Sequence, residues 1–222
     1  MGKQRLFWLL WIAFISYALL AAPPNQPDEQ QLIQNLLTGH WQAINPIIVA
    51  LFNLLGIWPV IYACLMVIDG RGQKVAAWPF VAAAFGAGVF AILPYLALRQ
   101  PQIKFSGHKH LGLKILDSRW IGVILSLASA GLVAYGLTGD WSDFFHQWQT
   151  SRLVHVMGLD FCLLSLVFPA LVGDDMARRG LQSSQLFWLV TWLPLFGPLA
   201  YLCLRPPLPD NEQPLAHPQT QS

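Results

Sequence analysis

The segment Ser151–Gly180, SRLVHVMGLDFCLLSLVFPALVGDDMARRG, decides what kind of protein this is. From Arg152 to Val172 it holds about 21 mostly apolar residues, enough to cross a hydrocarbon core of about 30 Å. Asp160 lies eight residues into that run, about 12 Å along a helix and so near mid-membrane. A charge at that depth costs about 2.5–3.5 kcal/mol even on the lenient insertion scale, so it must face protein or water and find a partner. The run then ends in a charged turn, Asp174-Asp175-Met176-Ala177-Arg178-Arg179.

The rest of the chain has the same character. Of 222 residues 55% are hydrophobic and 11% charged, against about 25% charged in a soluble domain. The ten Trp suit membrane interfaces. A net charge of +2, with basic residues scattered rather than striped, gives no reason to expect a nucleic-acid partner. Cys64, Cys162 and Cys203 have neither disulfide nor zinc spacing and are expected to be small buried hydrophobes. The fold class expected is all-α, integral to a membrane.

Six apolar segments are legible: about 6–22, 44–68, 75–98, 119–137, 152–172 and 185–204. The first, behind Lys3 and Arg5, is read as an uncleaved helix, because Pro23-Pro24 follow it without a cleavage pattern. Pro27-Asp28-Glu29 starts a short amphipathic helix that Gly39 stops. Trp141, Phe144, Phe145 and Trp148 recur at i, i+3, i+4 and i+7, so a second surface helix carries an aromatic face. Ala82/Gly86 and Ala84/Gly88 are small-xxx-small pairs that permit close helix approach. Pro59 is expected to kink the second segment, and Pro194, Gly197 and Pro198 to bend or break the last. The tail 205–222 is too polar to pack and is expected to be disordered.

The chain also carries an internal echo. Leu37-Thr38-Gly39-His40-Trp41 returns as Leu137-Thr138-Gly139-Asp140-Trp141, and Tyr95-Leu96-Ala97-Leu98-Arg99 as Tyr201-Leu202-Cys203-Leu204-Arg205. The second offset, 106 residues, also places Asp69 on Asp175. Two three-helix units are therefore expected, 1–111 and 112–204. Because three is odd, the second unit should enter the membrane from the opposite side, giving an inverted pair. Counted on that scheme, six Lys and Arg fall on one face and seven on the other, so the positive-inside rule selects no orientation.

Candidate chemistry is sparse. On the fifth segment His155 and Asp160 stand about 140° apart and do not form a dyad. Asp160 is expected to bond to a neighbouring helix, with Asn53 at matching depth as the partner, and Arg152 and His155 complete the candidate polar site. Two readings stay open: an inter-helix hydrogen bond that holds the bundle, or a proton, ion or substrate site. Asp174/Arg178 and Asp175/Arg179 are expected to be i, i+4 ion pairs closing a helix end. The arginines stand where a magnesium-binding aspartate motif would need acids, so that pair does not indicate a prenyl-transfer site. No Walker loop, nucleophile elbow, HExxH, CxxC or dinucleotide fingerprint is present. His108-Lys109-His110 lacks further ligands, so no metal is expected, and His146 and His155 are read as polar packing, so no cofactor is.

The stretch quoted at the outset, followed by WLPLFGPLAYLCLRPP, resembles a polytopic membrane family of cyanobacteria and plastids. Each hairpin, with an acid at its turn and YLxLR at its end, also resembles a small bacterial three-helix family. More distantly, His155, Asp160, Asp174, Arg178, Gly197 and Pro198 are similar in order to a plastid membrane protein of neoxanthin synthesis. These resemblances imply a thylakoid or plasma-membrane location. The function expected is a non-enzymatic factor that assembles or stabilises a membrane complex, such as a photosynthetic one, with lipids and complex subunits as partners. The alternatives are a small transporter or ion carrier using Asp160, and a carotenoid- or lipid-modifying enzyme.

Overall fold

A computed structural model describes residues 2–101 and 111–209, and among these the regular structure is helical throughout. The elements are α1 (Gly2–Leu20), α2 (Glu29–Thr38), α3 (Pro46–Asp69), α4 (Trp78–Ala87), α5 (Val89–Leu98), α6 (Leu111–Asp117), α7 (Arg119–Gly136), α8 (Trp141–Thr150), α9 (Arg152–Val167), α10 (Pro169–Arg178), α11 (Ser184–Trp192) and α12 (Phe196–Leu204). Three helical stretches are long and apolar enough to cross a membrane: Pro46–Asp69, Arg119–Gly136 and Arg152–Arg178. The protein is therefore of the membrane-spanning helical class.

Local chemistry places the helix starts. Asn45 accepts from Ile47 N and has Pro46 behind it at the first helical position. Ser118 accepts from Trp120 N, Asp140 from Ser142 N and Asp143 N, and Ser151 from Val154 N. Helix α3 runs through Pro59 to Asp69 and carries more buried apolar residues than any other helix, Trp58 and Tyr62 among them at 0% exposure. It is the central post. Helix α7 lies along it, with Gly136 set against Ala50, while α9 packs on its other side.

The third and sixth apolar segments do not cross as expected. Each is two short helices folded back on each other. In α4–α5 the rings of Phe80 and Tyr95 are 5.7 Å apart, whereas a continuous helix would separate them by about 22 Å. Gln73 and Gln100 exchange two hydrogen bonds, Nε2 to the Gln100 carbonyl at 2.5 Å and the Gln100 N–H to Oε1 at 2.8 Å. The pair thus leaves from and returns to the end where α3 finishes. The fold-back turns on Gly88, at φ 51° and ψ −129°, a conformation that side chains resist. In α11–α12 the break falls at Leu193–Leu195, with Leu195 at φ 62°. Gly197 there lies against the Val190 backbone, where a β-carbon would not fit.

These fold-backs change how the two halves of the chain are arranged. Asp69 at the end of α3 pairs with Arg178 at the end of α10, and Arg99 at the end of α5 pairs with Asp174. At the far end Asn45 Nδ2 donates to Asp143 Oδ2, and Gln26 Nε2 to the Thr150 carbonyl. Helices α3 and α9–α10 therefore run side by side in the same direction. The inverted arrangement expected from an odd number of spans is replaced by a parallel one, because an apolar run of the right length folded back at Gly88 instead of crossing.

Other expectations also change. Arg205 is 1% exposed and Leu208 packs with Ile68 and Leu113, so the tail begins as buried structure. Cys162 is exposed, facing outward from α9, while Cys64 is buried. Of the small-residue pairs, Ala84 and Gly88 are buried inside, whereas Ala82 and Gly86 face outward. On α8, Trp141 and Phe145 are exposed while Phe144 and Trp148 pack against the cluster of Ile48, Val154 and Met157. His108, Lys109 and His110 lie outside the described residues.

Candidate functional site

Two polar constellations are buried in this apolar body. The first gathers at the common end of α3, α5, α10 and α12. Tyr95 and Arg99 are one turn apart on α5, and both reach Asp69 at the end of α3. The Tyr95 hydroxyl donates to Oδ2 at 2.7 Å, and Arg99 forks across both oxygens at 2.7 and 2.6 Å. Arg178 from α10 also donates to Oδ1. The same constellation recurs on the other half. The Tyr201 hydroxyl donates to Asp175 Oδ2 at 2.7 Å, Arg205 Nη1 to the same oxygen at 3.4 Å, and Arg179 Nε at 2.8 Å. Arg179 continues to Asp117 Oδ1 at 2.7 Å, and Asp117 Oδ2 accepts from Leu208 N at 3.0 Å.

The electrostatics of this cluster are balanced. A carboxylate at the C-terminal end of α3 or α10 meets unsatisfied carbonyls and is disfavoured there. Four guanidinium groups, on Arg99, Arg178, Arg179 and Arg205, answer the four carboxylates of Asp69, Asp117, Asp174 and Asp175. Burial works against the charge on Arg99, but Asp69 and Asp174 outweigh it and hold its pKa above the ordinary value. Arg179 is likewise raised, burial being outweighed by Asp175 and Asp117. Arg99 and Arg179 stay charged, and the four arginines serve as cross-links between helices.

The expected turn pairs are half right in partner. Asp175 and Arg179 do pair at i, i+4. Asp174 instead takes Arg99, and Arg178 takes Asp69, with Asp175 a further 3.9 Å contact. The helix-end salt bridges thus became ties between the two halves. Tyr95, Arg99, Tyr201, Arg205 and Asp117 were not among the candidate site residues. For the Tyr and Arg pairs the signal was in the sequence, since the YLxLR echo and the Asp69/Asp175 pair share one offset; Asp117 had none.

The second constellation is at Asp160. Its Oδ1 accepts from Val89 N at 2.7 Å, capping the first residue of α5, and its carboxyl occupies the space over Gly88. Asp160 therefore bonds to a neighbouring chain segment as expected, but not to Asn53. Asn53 donates to the Val49 carbonyl of its own helix at 2.8 Å. His155 has both ring nitrogens engaged, Nε2 with the Tyr17 hydroxyl and Nδ1 with the Trp148 carbonyl, each at 2.8 Å, and it stacks on Trp148. No ring nitrogen of His155 remains for a metal or pigment. Arg152 Nε donates to the Pro23 carbonyl at 2.9 Å, fastening the end of α1. The four residues expected to form one polar site thus hold four separate contacts.

A polar cavity of about 340 Å³ opens between α2 and α8, lined by Gln26, Asp28, Glu29, Asn45, His146 and Ser151 among others. Glu29 is already spent there: Oε1 accepts from Ser151 Oγ at 2.9 Å and Leu153 N at 3.1 Å. Among the described residues no group of three His, Cys, Asp or Glu side chains could hold a metal ion. Comparison with family models, with curated proteins and with solved structures finds no match.

Proposed function

We propose that this protein is a non-enzymatic factor that assembles or stabilises a larger complex in a thylakoid or plasma membrane, a photosynthetic complex being one candidate. The observation that supports the reading is how the buried polar groups are used. Asp160, Asn53, His155 and Arg152 each hold a backbone or side-chain partner within the fold, and the Asp–Tyr–Arg cluster is charge-balanced by its own residues. Such groups fix a shape rather than turn over a substrate. In keeping with this, α4 presents Pro79, Ala82, Ala83 and Gly86 outward on one face, smooth enough for another membrane helix to approach. On this reading residues 1–111 and 112–204 are two copies of one unit standing in parallel.

Mild extraction, native-gel separation and mass spectrometry test the proposal. Co-migration with a large complex is expected, and a lone particle with no protein partner overturns it.

One observation favours a second reading, a proton or ion carrier. Irregular backbone at membrane depth, with a short-helix N-terminus facing a carboxylate, is a form that transporters use at their binding sites. Asp160→Asn keeps an oxygen for Val89 N but removes the charge. Loss of proton or cation flux in that variant, with stability intact, is the result that this second reading requires.

A further inference from the structure

The parallel arrangement redistributes the charges that the sequence left evenly divided. Of the eleven Lys and Arg among the described residues, ten lie at the end where α3 and α10 finish. The N-terminus of α1 is there because Gln4 Nε2 donates to the Arg99 carbonyl, and the start of α7 because Arg119 Nε donates to the Arg205 carbonyl. Only Arg152 stands at the other end, with Asp28, Glu29, Asp140 and Asp143.

Among the described residues, the acids at the basic end do not offset its surface. Asp69, Asp117 and Asp175 are buried and Asp174 is partly so, all four held by arginines. Among the described residues the cations left exposed are Lys3, Arg5, Lys74, Lys114 and Arg119. They sit at the termini of helices or in the tight link after α3, at the depth where apolar helix surface gives way to headgroups. Below them Trp78 and Trp120 are exposed, the residue type that settles at that boundary.

We infer that this end faces the side of the membrane on which the chain is made, and that its exposed lysines and arginines form a docking surface for anionic lipid headgroups. The first half follows from the bias of Lys and Arg toward that side. The second follows from the described acids of this end being held by arginines while five cations stay exposed, since a surface-proximal Lys or Arg favours an anionic leaflet by about fivefold. A headgroup is the ligand because the exposed cations sit at or beside helix ends, on the same end of the molecule as the exposed Trp78 and Trp120. The inference is independent of any complex the protein serves.

The test uses the full chain in bilayers of equal phosphatidylcholine and phosphatidylglycerol, with retained lipid identified by mass spectrometry after transfer to detergent. Phosphatidylglycerol should be enriched about fivefold or more at low salt. The enrichment should fall in Lys74→Gln/Lys114→Gln, whose side chains are exposed, and in the unmodified chain at high salt. Equal retention of the two lipids, or enrichment indifferent to both the variant and salt, overturns the docking surface. In cells, a cysteine at Lys74 should be shielded from an impermeant thiol reagent applied outside, and labelling from outside overturns the orientation.

Discussion

Gly88→Ala tests the fold-back most directly. A β-carbon on Gly88 would stand 2.6 Å from Asp160 Oδ1 and closer still to Oδ2, while the backbone there sits at φ 51°. Holding a non-glycine residue in that conformation costs about 1–3 kcal/mol. Displacing the carboxyl also breaks its bond to Val89 N, about 1.5–3 kcal/mol for a hydrogen bond to a charged group. Together these make about 2.5–6 kcal/mol, which for a chain of this size lowers the melting temperature by about 5–24 °C. The assay is thermal unfolding in mild detergent, followed by the fluorescence of the many tryptophans. Gly86→Ala is the control. It lies two residues away in helix α4 with nothing within 4 Å, and should be neutral or stabilising by about 0.5–1 kcal/mol. If the two variants melt together, the Asp160 cap does not hold the α4–α5 turn and the reasoning fails.

Other tests address the network and the topology. Asp69→Ala leaves Arg99 and Arg178 without their shared carboxylate and should destabilise by about 3–5 kcal/mol in the same melt. A loss below about 1 kcal/mol, the range of an exposed ion pair, would mean the cluster is not a buried cross-link. Cysteines at Lys74 and Gln182, in a background lacking Cys162 and Cys203, should react with an impermeant probe from one side of the membrane. A cysteine at Gln149 should react from the other, and opposite labelling of the first two positions would restore an inverted arrangement.

Much of the local structure was legible in the residues. Asn45-Pro46, Ser118, Asp140 and Ser151 each mark a helix start because a short oxygen-bearing side chain satisfies free N–H groups within its own turn. The surface helices, too, follow from spacings within ten residues. The candidate site was legible only in its parts. Asp160 stood out through the cost of its position, and Asp174 to Arg179 through their clustering, but the partners of Asp160, Asp174 and Arg178 lie 71 to 109 residues away in sequence. No i, i+4 rule reaches that far, so Arg178 was assigned to Asp174 when Asp69 held it.

By itself the sequence determined an all-helical protein with membrane-crossing segments and two surface helices, since length, hydropathy and capping are local properties. The tertiary structure decided which apolar runs cross. The segment 75–98 has the length of a span whether it traverses or doubles back, and hydropathy is blind to direction. A carboxylate from α9 placed over Gly88 supports the doubled form, since it accepts from the Val89 N–H at the break. With that fold-back go the parallel halves, the meeting of Asp69 with Arg178 and the gathering of the described cations at one end.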